Sequence, residues 1–271
     1  MPEGDTIFRA ARTLNEALAG RTVTNFETVF PRLSRVDDEK PITGRRIERV
    51  FAAGKHLIID FSGGLHLRTH MRMNGSWHIY RRGERWQRSR ADMRIVIGTD
   101  HWVAVGFNVP VAEFHDDRGL RKQADLRAIG PDMAAPSFDE EEAVRRIRDR
   151  SDSEIADVLL NQRVVGGLGN VFKSEVLFVC RVNPFAPVGE LEAETVREIV
   201  RTARALVLLN VASGAAPGRG TRGSLDREQR LWVYARGGEP CRRCGTPIEY
   251  RKQGLDARGT YWCAKCQERV G

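Results

Sequence analysis

Two pairs of cysteines near the C-terminal end constrain this chain more than any other feature. Cys241-Arg242-Arg243-Cys244 is followed, after eighteen residues, by Cys263-Ala264-Lys265-Cys266. Two Cys-x2-Cys knuckles at this spacing gather four thiolates round one metal ion. Zinc suits the set best, with disulfides and an iron site as the alternatives. No secretory signal favours disulfides, because Glu3 and Asp5 stand where a basic n-region would lie. With every coordination position filled by cysteine, a single Zn2+ here is structural and not catalytic. The surrounding residues, 237–271, are too few to bury a core, so metal binding would supply the folding energy. Cys180, the fifth cysteine, closes an apolar helical run and reads as a buried core thiol.

The rest of the chain is long enough for one large domain or two ordinary ones, at 271 residues and 41% hydrophobic composition. No apolar run approaches the roughly 18 residues of a membrane span. These features predict a soluble protein of the cytoplasm. Apolar Ile7, Phe8, Ala11, Leu14 and Leu18 follow the helical period, with Asp5 as the expected cap and Gly20 as the stop. From 22 to about 114 the pattern turns to short strands at 45–51, 56–61, 65–71, 77–80, 93–97 and 102–105. Gly54, Ser62-Gly63-Gly64, Asn74-Gly75 and Gly98-Thr99-Asp100 punctuate them. A β-sandwich or barrel is expected. After a connection at 128–132 the pattern is helical over 138–148, 154–162, 170–180 and 191–209. A Gly-rich stretch at 214–223 then reads as a flexible loop. The fold class is α+β, with segments at 1–125, 126–223 and 224–271.

Charge narrows the partners. The chain carries 44 Lys and Arg against 36 Asp and Glu, a net +8, which favours a polyanion, nucleic acid first. Six arginines fall between Arg81 and Arg94. They suit a phosphate surface and a solvated hairpin face equally well.

Gln162 to Glu175, QRVVGGLGNVFKSE, joins two helical runs by a Gly-rich double turn. It is no Walker A loop, because Phe172 stands where Gly must precede Lys-Ser, and it lacks the strand that a dinucleotide fingerprint needs. What remains is a helix N-terminus with unsatisfied N–H groups, Asn170 at its start and Lys173 one turn in. Such a site suits one backbone phosphate, although a tight packing turn is the simpler alternative. Lys55 at the Ala53-Gly54-Lys55-His56 turn is unremarkable by itself. Met73, just before Asn74-Gly75, is placed where an exposed apolar side chain can wedge between bases.

The first residues gain meaning from these. Removal of Met1 would leave Pro2 with a secondary amine at the chain end, beside Glu3. Terminal amines titrate near neutrality (about 7.7–8.0), and the start of a helix lowers that further. Attack of such an amine on a sugar C1′ gives an iminium ion, an electron sink for β-elimination. Glu3 is placed to serve as acid and base on the sugar.

With Pro2-Glu3-Gly4, Gly54-Lys55, the Gly166–Asn170 turn and the cysteine hairpin in this order, the chain resembles the formamidopyrimidine-DNA glycosylase/endonuclease VIII family over nearly its whole length. The resemblance implies an N-terminal β-sandwich with a leading helix, a helix–two-turns–helix domain and a C-terminal zinc-finger β-hairpin, with damaged DNA in the cleft between the two halves. It implies a bifunctional glycosylase and abasic-site lyase acting by β,δ-elimination as a monomer, in the bacterial nucleoid. Pro2 would be the Schiff-base nucleophile, Glu3 the general acid/base, and Lys55 a phosphate contact and proton donor. Asn170 would hold a backbone phosphate. Arg258, at the finger tip, would grip phosphate and assist δ-elimination. Met73 matches a wedge position, with Arg72 beside it. In Asp116-Asp117-Arg118-Gly119-Leu120, Arg118 and Leu120 align with an arginine facing the orphaned base and an apolar wedge. Here Asp117 stands for the family's proline, and Leu120 for its aromatic residue.

The start Pro2-Glu3-Gly4 resembles the endonuclease VIII branch, and the short span from Thr221 to Tyr234 leaves little room for a loop over 8-oxoguanine. Oxidised pyrimidines are therefore the expected substrates. The alternatives are an 8-oxoguanine-preferring member of the family and a non-catalytic zinc-ribbon module that binds damaged DNA.

Overall fold

A computed structural model describes residues 2–212, 220–222 and 229–268. Met1 and most of the Gly-rich stretch at 214–223 lie outside them, as does much of the span between Thr221 and Tyr234. The chain divides into two compact units, Met1–Ala128 and Ile129–Gly271.

The first unit is a sandwich of two four-stranded antiparallel sheets. In chain order it holds α1 (Gly4–Leu18), β1 (Asn25–Thr28), α2 (Pro31–Glu39), β2 (Ile47–Ala53), β3 (His56–Phe61), β4 (Leu65–His70), β5 (Ser76–Arg81), β6 (Met93–Gly98), β7 (Trp102–Phe107), β8 (Val111–Asp116), α3 (Asp117–Lys122) and α4 (Ala124–Arg127). One sheet runs β1-β6-β7-β5 and the other β2-β3-β4-β8. Alternate residues of β3 and β4, among them Leu57, Ile59, Phe61, Leu65 and Leu67, meet Ile95, Ile97, Ala104 and the apolar stripe of α1 in one core. The fold class and the leading helix are as expected. Asp5 is not the cap, however. Glu3 holds that position, its carbonyl accepting from Thr6 and Ile7, and Asp5 lies buried in the first turn.

Several elements escape the sequence pattern, α2 and β8 most instructively. In α2 only Leu33 is buried, so no apolar stripe announces the helix. In β8, Glu113 and His115 face a polar surface of the sheet, which removes the usual alternation of apolar and polar residues.

The second unit holds α5 (Glu140–Arg148), α6 (Ile155–Leu160), α7 (Asn170–Val179), α8 (Ala193–Ala212) and the hairpin of β9 (Glu249–Gln253) and β10 (Arg258–Trp262). The double turn between α6 and α7 is braced by Gln162. Its amide donates to the carbonyls of Leu160 and Leu168 and accepts from the Gly167 N–H. Gly167 has φ +88°, and a Cβ on Gly130 would lie 2.2 Å from the Val164 carbonyl oxygen, so both positions require glycine.

Candidate functional site

In the first unit, two tertiary hydrogen bonds fix the direction of α1 along β2. Gly20 N–H donates to the Ile47 carbonyl, and Val50 N–H to Asn15 Oδ1. The helix therefore runs antiparallel to the strand. From Asn15 back to Gly4 the helix rises about 16 Å, and from Val50 to Lys55 the strand rises about the same. Pro2 and Glu3 are thus carried to the end of the sandwich where Gly54 and Lys55 turn. Glu3 is completely buried.

The same end receives β4. His56 pairs with His70 across β3 and β4, and the rings meet edge-on at 4.9 Å. Beyond His70 the chain turns through residues 71–75. Met71 is buried, whereas Met73 is 57% exposed, so the wedge expected of Met73 is sterically available. Arg72 sits at φ +44°, a left-handed conformation that a long side chain adopts only under constraint. Its N–H donates to His70 Nδ1 at 2.9 Å. Gly75 closes the turn, since a Cβ there would lie 2.6 Å from the Met71 carbonyl oxygen.

His70 is a residue that sequence reasoning passed over. Burial holds its pKa down at about 4, assisted by Arg72, Lys55 and Arg68, with Asp125 opposing. The ring is neutral at pH 7. Because Nδ1 accepts from Arg72, the proton resides on Nε2, which makes His70 a neutral donor in the neighbourhood of Lys55.

Arg118 and Leu120 do not join this end. The register of β4 and β8 sets Leu65 opposite Asp116 and His70 opposite Val111. Arg118 and Leu120 follow Asp116, so α3 begins about 16 Å along β4 from His70. There Asp116 caps α3 through the Gly119 N–H, and Asp117 Oδ1 lies 3.0 Å from His66 Nε2. The expectation that Arg118 and Leu120 fill the gap with Met73 is therefore corrected. The turn that does lie beside the 71–75 end is residues 108–110, between β7 and β8. Phe107 pairs with Ser76 there, and Asn108 has φ +49°. The Asn108-Val109-Pro110 run was the sequence signal for it.

The arginine-rich loop between β5 and β6 also lies away from this end, because β5 runs from Ser76, after the Met73 turn, to Arg81. Trp86 in the loop packs on Tyr80 and Phe107 over the outer face of its sheet, and Arg90 pairs with Glu27.

In the second unit, α7 and the hairpin make one surface. Asn170 Nδ2 donates to the Gly259 carbonyl at 2.8 Å, which brings it next to Arg258, an exposed residue paired loosely with Asp256 at 3.7 Å. The amide retains a second N–H, and its Oδ1 is buried with no hydrogen-bond partner. Lys173 has another task. It is 1% exposed, and its ammonium donates to Thr260 Oγ1 at 2.7 Å. The phosphate contact expected of Lys173 is thus corrected: a cation with its head spent inside the protein holds β10 against α7.

The four cysteine sulfurs, Cys241, Cys244, Cys263 and Cys266, lie within 4.8 Å of one another. Sγ–Sγ separations of 3.9 Å (Cys241–Cys266) and 3.4 Å (Cys244–Cys263) rule out disulfides, which need about 2.05 Å. They fit a tetrahedral zinc, whose thiolates at about 2.3 Å lie roughly 3.8 Å apart. Burial raises the Cys263 thiol and pushes Cys266 up to about 12, whereas hydrogen bonding from Thr246 pulls Cys244 down to about 6, and a bound cation lets all four ionise together. The cluster packs with Phe178, Val233 and Ile248, so the one zinc it holds is a structural member of the second unit's core.

Three family descriptions match the chain in sequence order. The formamidopyrimidine-DNA glycosylase N-terminal domain covers residues 1–122, the formamidopyrimidine-DNA glycosylase H2TH domain 129–219, and the zinc finger found in FPG and IleRS 238–269. The chain belongs to the formamidopyrimidine-DNA glycosylase family. Within that family it is 40% identical to the probable endonuclease 8 2 of Streptomyces coelicolor, over 98% of this chain and 94% of that one. It is 38% identical to the DNA-(apurinic or apyrimidinic site) lyase Nei2 of Mycolicibacterium smegmatis, over 98% and 99%. The fold matches Lactococcus lactis Fpg, solved in complex with DNA containing an abasic site, at a TM-score of 0.82 and 23% identity, over 99% of this chain and 100% of that one.

Proposed function

We propose that the chain is a bifunctional DNA glycosylase and abasic-site lyase that excises oxidised bases, pyrimidines first, and cuts the strand by β,δ-elimination. The observation that carries this reading is the antiparallel run of α1 along β2, which delivers Pro2 and Glu3 to the Lys55 end. The relatives named endonuclease 8 and DNA-(apurinic or apyrimidinic site) lyase Nei2 support the lyase and the endonuclease VIII branch. The pyrimidine preference rests on the Pro2-Glu3-Gly4 start and the short span from Thr221 to Tyr234.

The chemistry follows from these groups. Once Met1 is removed, the Pro2 nitrogen attacks C1′ of the damaged nucleotide, the bond from C1′ to the base breaks, and the base leaves with a proton. Glu3 serves as acid and base on the deoxyribose oxygen as the ring opens. The secondary amine leaves an iminium ion, which draws the electron pair released when a C2′ proton is removed, and the 3′ phosphate departs. A second elimination expels the 5′ phosphate. Lys55 and the His70 Nε2–H donate toward the phosphates flanking the site, while Met73 occupies the space that the extruded nucleotide vacates.

Asn170 and Arg258 grip the backbone from the second unit, and Lys173 with the zinc keeps them aligned. Three segments serve these tasks: residues 1–125 for chemistry, 126–223 and 224–271 for the backbone. The protein works as a monomer on damaged DNA in the bacterial nucleoid. Among the described residues no helix is long and apolar enough to cross a membrane.

Glu3→Gln tests the division of labour. Base excision from a thymine-glycol duplex should fall at least about 100-fold, with a much smaller loss on preformed abasic sites. Equal losses on the two substrates would remove Glu3 from its role. Side by side, thymine glycol should be cut faster than 8-oxoguanine, and the reverse order would overturn the pyrimidine preference.

A further inference from the structure

The outer face of the β2-β3-β4-β8 sheet carries a row of buried and half-buried polar side chains, and Arg68 lies at its centre with 6% exposure. Its guanidinium donates in three directions. One nitrogen reaches Glu113 Oε2 at 3.1 Å and Gln123 Oε1 at 3.0 Å, and another reaches Asp125 Oδ2 at 3.4 Å. The third, Nε, donates to His56 Nδ1 at 3.3 Å. His56 packs edge-on against His70, which accepts the Arg72 N–H and so holds the left-handed turn that presents Met73. A continuous row of contacts therefore runs from Gln123 and Asp125, just ahead of Ala128 where the first unit ends, to the Met73 turn.

We propose that Arg68 is a positioning residue for the reaction, coupling the docking of Gln123 and Asp125 to the 71–75 turn that carries Met73. The proposal rests on the reading of Met73 as the wedge.

The chemistry of the row supports a directional link. Arg68 is a permanent donor, and both histidines act as acceptors, which requires them neutral. Burial holds His56 at about 3, with Arg68 and then His70 adding to the effect. His70 is held at about 4 by burial, then by Arg72, Lys55 and Arg68, against Asp125. Protonating His70 would set a second donor against the Arg72 N–H and release the turn. Removing the Arg68 charge makes that protonation easier, so the acid limb of the activity should move to higher pH. When Gln123 and Asp125 leave, Arg68 loses two of its four acceptors and its grip on His56 loosens.

The test uses the full-length, zinc-loaded protein on one abasic site, placed in a duplex or in a single strand. A single strand has no opposing base and needs no wedge. Arg68→Met should raise KM on the duplex about tenfold, the size of a coupling carried through packed neighbours, while the single-strand kcat/KM stays within about twofold. Its acid limb on the duplex should shift upward. Arg68→Lys, which keeps the charge but not the fork, should retain the wild-type acid limb with a raised KM. The double variant Gln123→Ala, Asp125→Ala breaks the far end of the row at half-exposed and exposed positions. It should show the same duplex-selective loss, and it decides the matter should Arg68→Met fail to fold. Met73→Ala is run in parallel. Duplex-selective loss in Met73→Ala but not in the Arg68 or Gln123/Asp125 variants overturns the coupling alone. No selectivity in Met73→Ala overturns the wedge reading and the coupling with it.

Discussion

The end of the sandwich proposed to carry the reaction and the α7–hairpin surface reach order by different means. At the sandwich end an apolar core of two facing sheets and α1 supplies the rigidity, and the chemistry-bearing residues sit on turns at its rim, with Met73 exposed and Arg72 in a left-handed conformation. In the second unit α7 stands in an apolar core of its own, but the hairpin packed on it has little. Order there comes from a metal cluster and from buried polar groups, with Lys173, Thr260 and Gln253 linked in series. The lesson is that a cation in a DNA-binding protein need not touch DNA. Lys173 on α7 bonds Thr260, only two residues beyond Arg258 on β10, yet of the two cations only Arg258 faces solvent.

Removing zinc should separate the two regions most sharply. Chelation should weaken duplex binding by about 100-fold or more and alter emission from Trp262, which packs on Phe185 beside the finger. The β-sheet signal of the first unit should persist, because its core contains no metal ligand. A loss of both signals together would show that the two regions share one source of stability.

The next contrast lies inside the second unit. Arg258→Ala and Asn170→Ala should each weaken binding about tenfold, and the arginine variant should reduce the slope of log affinity against log salt by about one. Lys173→Met should instead lower the melting temperature and leave that slope unchanged. If Lys173→Met lowers the slope as much as Arg258→Ala does, Lys173 reaches phosphate after all.

A smaller effect sharpens the picture of the sandwich. His56 at about 3 and His70 at about 4 both lie below their ordinary value of 6.5. Between these values an unfolded chain binds protons that the folded one refuses. Stability is therefore fully present above pH 6.5 and falls as pH drops toward 4 and below. His70→Asn should flatten the fall in melting temperature between pH 6.5 and 4.5, and an unaltered slope would contradict the burial of a neutral ring.

Much of this was legible in the sequence, and the failures have physical causes. The strands at 56–61 and 93–97, the double turn and the cysteine spacing all rest on local patterning, which the chain states openly. Helix α2 was hidden because a surface helix with one buried residue has no stripe. Arg118 and Leu120 were misplaced because a local motif does not disclose strand register, which only the pairing of Leu65 with Asp116 reveals. Lys173 could have been read correctly: residues 170–178 are buried all round α7, and its apolar neighbours Val171, Phe172, Val176 and Leu177 already crowd every face.

The central claim is that the nitrogen of residue 2 forms the covalent bond to DNA. Borohydride reduction of the processed protein on a thymine-glycol or abasic duplex, followed by peptide mapping of the captured complex, tests it most directly. The account predicts that the DNA remnant maps to Pro2, and that blocking this amine by retained Met1 abolishes capture. A remnant on Lys55 or any other lysine would contradict it.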